Sequence, residues 1–170
     1  MRSKLILAAI AVVVFAGSCN PFAPGYDPDG LLTKNLLGDR NTIDGLFVYF
    51  KNSYELRDTS LYSKLFSNDF TFTYFDFDQN ANVNWDKGEE MALTWNLFRT
   101  VNTITLDWNF YVQKDSVDEL HAQVIRAFNL TIVENENTIH SSAGRARLTL
   151  IRSAATEPWQ ISYWFDDSDF

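Results

Sequence analysis

Arg126 is the one charged side chain in a long alternation of apolar residues, Leu120, Ala122, Val124, Arg126, Phe128, Leu130 and Ile132. A guanidinium among apolar neighbours is costly unless it is paired and hydrogen-bonded. Two readings are open: a pocket cation that holds an anionic ligand group, or a structural arginine that is paired with a helix carboxylate or turned outward by a bulge. Tyr74 and Tyr163 lie on two other aromatic strands. They could be polar handles in the same pocket, or core tyrosines with a hydroxyl at its rim. A second candidate is the polar run that follows Phe77. Counted from Asp78, the oxygen-bearing side chains of Asp78, Asn80, Asn82, Asn84, Asp86 and Glu89 fall at positions 1, 3, 5, 7, 9 and 12, the spacing with which a calcium loop wraps its ion. Val83 stands where that loop needs Gly, and Asn in place of Asp lowers the ligand charge. The competing reading is a polar loop that makes Asx turns and ends in a helix cap at Asp86.

Other chemistry is missing. His121 and His140 are the only histidines and Cys19 the only cysteine, so the ordinary zinc-ligand sets are not available. There is no Gly-rich phosphate loop, no nucleophile elbow and no Cys–His pair. The apolar faces show no Asp–His dyad, and Asp76, at a strand end, is the one acid near them. General acid–base catalysis needs such a group inside a pocket, so an enzyme is the secondary reading. No cofactor is expected beyond the calcium candidate.

These residues must be positioned by a small set of elements. Ile43, Leu46, Phe47, Phe50 and Tyr54 follow helical spacing behind an N-cap at Asn41 or Thr42. Asp58 can cap a short second helix through Leu61, Tyr62, Leu65 and Phe66. Asp69 to Asp78 carries aromatics on a period of two and reads as a strand. Asp86-Lys87-Gly88-Glu89 has capping-box form, and Met91, Ala92, Trp95 and Phe98 would be the buried stripe of a third helix. Four further strands are predicted over Thr103 to Gln113, Val117 to Val133, Thr138 to Arg152 and Pro158 to Asp166, with a hairpin turn at Glu134 to Asn137. Alternation puts Phe110, Val112, Tyr163 and Phe165 on the apolar face with Arg126, and Tyr111, Ile125 and Trp164 on the polar one. Trp95, Trp108 and Phe70 are expected core residues. The fold class is therefore α+β: a curved antiparallel sheet of about five strands packed on three N-terminal helices.

Met1 to Ser18 is a basic start, an apolar run from Leu5 to Phe15 and the small residues Ala16-Gly17-Ser18, followed by Cys19. It reads as a secretory signal, too short to span a membrane as a mature helix. With Cys19 next, the segment resembles the lipobox of bacterial lipoproteins, although Ala16 stands where Leu is commonest. The resemblance implies diacylation of the Cys19 thiol, cleavage before it and a membrane anchor. Asn20 follows Cys19 where Asp would favour inner-membrane retention in enterobacteria, which points by analogy to the outer membrane. Residues 19–40, with Pro21, Pro24, Gly25 and Pro28, read as a tether, and 41–170 as one domain. Loss of Arg2 and Lys4 with the leader leaves 12 basic against 22 acidic residues, a formal charge of −10. That argues against nucleic acid as a partner. An aromatic content of 15% with 14 Phe argues for a large core or an aromatic-lined cavity.

The run from Tyr54 to Phe72 also carries a resemblance, as does the end of the chain, Trp159-Gln160-Ile161-Ser162-Tyr163-Trp164-Phe165. Both resemble the nuclear transport factor 2-like superfamily, the cone-shaped fold of ketosteroid isomerase, scytalone dehydratase and polyketide cyclases. The resemblance spans roughly Thr42 to Asp167 and implies the fold more than a function. It also implies pairing of two copies through the polar sheet face; a partly exposed monomer surface is the alternative. The function expected is a lipid-anchored, non-enzymatic envelope protein that binds a small apolar ligand or a protein partner. The alternative is an isomerase, dehydratase or cyclase acting on a small hydrophobic substrate.

Overall fold

The computed structural model describes residues 36–168. The leader, Cys19 and nearly all of the tether lie outside the described residues. The chain enters the domain through a strap at Leu37 to Thr42. Gly38 has φ +108, and a Cβ there would sit 2.4 Å from the Gly45 carbonyl oxygen, so only glycine lets the strap lie this close to the first helix. Asn52 Nδ2 donates to the Leu36 and Leu37 carbonyls, and Trp159 N donates to Arg40 O at 2.8 Å.

Each expected cap forms. Thr42 Oγ1 accepts from Gly45 N at 3.0 Å and opens α1, Ile43–Glu55. Asp58 accepts from Ser60 N and Leu61 N and opens α2, Thr59–Tyr62, which runs through a 3₁₀ turn at Ser63–Leu65 into β1, Phe66–Asp76. Asp86 accepts from Glu89 N at 3.0 Å and opens α3, Lys87–Thr100. These caps satisfy amides that the first helical turn leaves without partners.

The sheet has six strands rather than five. The polar run after Phe77 forms a turn at residues 77–80 and then β2, Ala81–Asp86. The Asn-rich composition predicts a loop there, but Val83 and Trp85 alternate inward along an edge strand. The remaining strands are β3, Thr103–Ser116, β4, His121–Asn135, β5, Thr138–Ile151, and β6, Gln160–Ser168. Their order is β2-β1-β6-β5-β4-β3. The sheet is also mixed: β1 runs parallel to β6, and all other neighbours are antiparallel.

Bulges in β6 and β3 move side chains to the face opposite the one that strict alternation assigns; β3 has two register shifts, one between Trp108 and Tyr111 and one between Tyr111 and Gln113. In β6, Ile161 pairs with Leu150 and Tyr163 with Thr149, so Ser162 is the extra residue; its hydroxyl donates to the Thr149 carbonyl at 3.3 Å. Beyond it Trp164 and Asp166 turn inward, and Tyr163 and Phe165 turn out. In β3, Trp108 pairs with Phe128 but Tyr111 with Arg126. Tyr111 thereby packs inward on Phe47, with ring centroids 5.7 Å apart, while Phe110 is left 71% exposed. The polar sheet face therefore keeps Ile125 but loses Tyr111 and Trp164.

The helices cover the concave face. Phe50, Phe66, Phe70, Leu65, Leu150 and Ile161 form the centre of the core. Helix α3 is turned from its expected orientation: Phe98 is buried as expected, but Glu90 and Thr94 face inward, and Trp95 is 48% exposed beneath the Arg99 guanidinium, 4.1 Å from its ring. Trp108 is half-buried against Phe47 and Phe50. Phe66 is 0% exposed. Phe66→Ala should therefore cost about 3–5 kcal/mol in denaturant unfolding, and Trp95→Ala at most about 0.5 kcal/mol. Equal losses for the two variants would contradict this placement of α3.

Candidate functional site

Between the helices and the concave face lies a cavity of about 290 Å³. Every layer contributes to its wall: Phe50 and Tyr54 from α1, Tyr62 from α2, Glu90 and Thr94 from α3, Trp108 and Phe128 from the far strands, and Trp164 and Asp166 from β6. The last side is a stacked pair, Phe72 of β1 and Trp85 of β2, with ring centroids 4.3 Å apart and planes at 15°. Trp164 meets Phe72 edge-on at 5.0 Å and Phe50 at 5.5 Å. The cavity is about twice the roughly 150 Å³ that accommodates benzene in an engineered apolar core.

Two carboxyl groups stand in this aromatic wall. Glu90 is 5% exposed. Its Oε1 accepts from Tyr62 Oη and Thr94 Oγ1, both at 2.9 Å, and its Oε2 accepts from Trp85 Nε1 at 2.8 Å. Three uncharged donors thus meet the need of a buried carboxylate without a cation. Burial pushes the Tyr62 hydroxyl well above its ordinary pKa, and Glu90 beside it adds to the rise, so Tyr62 remains a donor. Asp166 is placed differently. Ser168 Oγ donates to its Oδ2 at 3.1 Å, but its buried Oδ1 has no partner among the described residues. Burial raises its pKa to about 6; Asp167 and Glu90 add to that, and the Ser168 hydrogen bond works against it. The indole Nε1 groups of Trp108 and Trp164 are likewise buried without partners. Neither Glu90 nor Asp166 was singled out from the sequence. Glu90 was hidden by the expected rotation of α3, and Asp166 by the Ser162 bulge.

The three candidate ligand contacts are not brought together. Arg126 lies on the concave side but beside the start of α1, outside the cavity wall. Its Nε donates to the Asn109 carbonyl in the β3 bulge at 3.0 Å, its Nη1 donates to Tyr111 Oη at 3.1 Å, and its guanidinium sits 4.7 Å from the Phe47 ring. Tyr111 in turn donates to Asp44, which also accepts from Lys114. The Tyr111 hydrogen bond, with Lys114 next in weight, holds Asp44 below the usual carboxylate range. Arg126 is thus held by a carbonyl and a tyrosine hydroxyl, and Tyr111 links it to Asp44 of α1. Tyr74 borders a smaller space of about 200 Å³ on the other side of Phe72, Trp85 and Asp166. Tyr163 is 38% exposed on the convex face.

The calcium spacing is not matched by a loop. Asn82, Asn84 and Asp86 point outward from β2, and strand rise spreads them over about 13 Å, too far apart to share one ion. Asp78 and Asn80 belong to the turn and Glu89 to α3, and no group of three or more acidic, His or Cys side chains among the described residues could hold a metal.

Asp166 yields a pH signature. Its folded-state pKa of about 6 exceeds the ordinary 3.8, so the folded protein binds this proton more tightly than the unfolded chain does. The resulting stability is complete below the unfolded value and is lost as pH rises through the folded one. A rise of this size is worth at most about 3 kcal/mol. Asp166→Asn should therefore stabilise the protein near neutral pH and change little at about pH 4. Denaturant midpoints measured across that range test this; a constant difference between variant and wild type would contradict it.

No protein-family model matches the chain, and no curated protein matches it by sequence. Solved structures do. The chain is similar to a candidate scytalone dehydratase of Novosphingobium aromaticivorans, at 10% identity over 83% of this chain and 87% of that one, with a TM-score of 0.63. It is similar to LinA, at 14% identity over 84% and 89%, with a TM-score of 0.60. It is also similar to the β subunit of benzoate 1,2-dioxygenase of Burkholderia mallei, at 12% identity over 75% and 88%, with a TM-score of 0.60. Likeness at such identities speaks for the fold alone, and the fold is the nuclear transport factor 2-like α+β cone.

Proposed function

We propose that this chain is a lipid-anchored envelope protein whose cone binds a small, largely apolar molecule. The observation that carries the binding reading is the unpaired polar set in the aromatic wall: Trp108 Nε1, Trp164 Nε1 and Asp166 Oδ1. A buried polar atom without a partner costs about 1–3 kcal/mol, and native cores keep few of them. Three among the residues that wall one cavity are the pattern of a site whose partners arrive with a ligand. Two structural neighbours, the candidate scytalone dehydratase and the benzoate dioxygenase subunit, are named for small organic substrates. Mass spectrometry of the protein under native conditions, after purification from its own envelope, should show a bound small molecule that leaves on denaturation. A protein of bare mass would oppose the reading.

Acid–base catalysis on such a molecule is a second reading, and Asp166 is what favours it. A carboxyl group held near 6 in a cavity can exchange protons at neutral pH. Under the binding reading the molecule is released unchanged. Under the catalytic one it is converted over time by the wild type and not by Asp166→Asn.

The anchor rests on Cys19 and the small residues before it. Labelled palmitate should enter the wild type and not Cys19→Ser. Equal labelling of the two would remove the lipoprotein reading and leave the cone untouched.

A further inference from the structure

We infer that the molecule the cone takes is a small ring-containing amine, bound as its ammonium ion and carrying an oxygen substituent. This rests on the cavity being a ligand site. The sign of the charge comes from the wall. Among the described residues Glu90 and Asp166 are its charged members, and no described Lys, Arg or His lines it. Cations close in sequence to the wall are engaged elsewhere: Lys51 Nζ donates to Asp107 at 2.8 Å, Lys87 Nζ donates to the Phe66 carbonyl at 2.8 Å, Arg99 covers Trp95, and Arg126 serves the β3 bulge. All hydrogen bonds given to the two carboxyl groups come from uncharged donors. An anionic ligand would meet two carboxyl groups with nothing to offset them, and a cation would meet both as counter-charges.

The aromatic part of the wall has the same preference. Phe50, Phe72, Trp85 and Trp164 surround the space next to Asp166. Aromatic faces carry negative potential and attract an ammonium group most strongly where water is excluded. Asp166 Oδ1, without a protein partner, would accept from it in a charge-assisted hydrogen bond. The unpaired indole N–H groups of Trp108 and Trp164 are donors, so they require an acceptor on the same molecule, which is the reason for the oxygen substituent. The volume admits one ring with a short side chain.

The test uses three probes of one shape on the full-length protein in detergent near neutral pH: tyramine, the neutral 4-(2-hydroxyethyl)phenol and the anionic 3-(4-hydroxyphenyl)propanoate. Isothermal calorimetry reads affinity, and the cavity tryptophans give a fluorescence check. Tyramine should bind at least ~10-fold more tightly than the neutral probe, as a desolvated cation–π contact and a charge-assisted hydrogen bond together allow, and the anion should bind most weakly. In Asp166→Asn, which is expected to be stable near neutral pH, the ratio of tyramine to neutral-probe affinity should fall toward one. Equal binding of tyramine and the neutral probe, or tightest binding of the anion, overturns the amine assignment and leaves the cavity a ligand site. A preference that survives in Asp166→Asn overturns the role of Asp166. Binding of none of the three overturns the ligand-site reading itself. The ranking in the wild type decides the charge question without any variant.

Discussion

The arrangement depends first on a carboxylate placed inside an aromatic core. Glu90 accepts from Tyr62 of α2, Trp85 of β2 and Thr94 of its own helix. Hydrogen bonds to a charged group contribute roughly 1.5–3 kcal/mol each, but most of that offsets the cost of removing the carboxylate from water. What remains is direction. A leucine at position 90 would fill space without fixing an orientation. The carboxylate fixes the rotation of α3, holds Trp85 flat against Phe72 and joins the edge strand to the helical layer. The stack of Phe72 on Trp85 then closes one side of the cavity, and Trp95 is left outside.

The second constraint is register. The Ser162 bulge exchanges Tyr163 and Phe165 for Trp164 and Asp166 on the concave face. Its counterpart in β3 exchanges Phe110 for Tyr111 and offers the Asn109 carbonyl to Arg126. Each extra residue bends its strand and re-aims the side chains beyond it. In β6 this puts an acid and an indole into the cavity. In β3 it gives the arginine of an apolar strand a backbone acceptor and a tyrosine hydroxyl.

Much of this fold was legible in the sequence, because caps and periodicity are local. Thr42, Asp58 and Asp86 each cap the helix expected of them; the aromatic strand and the β4–β5 hairpin exist as expected, but β1 begins at Phe66 rather than Asp69 and β4 at His121 rather than Val117. The site was not legible, because its residues are set by two non-local events. No local signal distinguishes a bulge at Ser162 from an unbroken alternation. Nor does the helix pattern of α3 reveal that a glutamate rather than a tryptophan faces the core; that choice depends on Tyr62 and Trp85, which are distant in the chain or on another element. One cue was present: Trp164 and Asp166 share a parity that alternation assigned to the polar face, an unusual place for a large indole. Asn-rich β2 misled for a different reason, since an edge strand tolerates polar residues on its open side.

The cone thus combines a carboxylate fully satisfied by protein with one that is not, inside walls of aromatic and aliphatic surface that also hold two unpaired indole donors. The central claim is that this space is completed by a ligand rather than by water or by collapse of its walls. A crystal structure of the protein isolated from its own envelope tests that most directly. The account predicts continuous density for a small organic molecule within hydrogen-bonding distance of Asp166 Oδ1 and of the indole nitrogens of Trp108 and Trp164. A cavity that is empty, or collapsed with those three atoms bonded to protein, would contradict it.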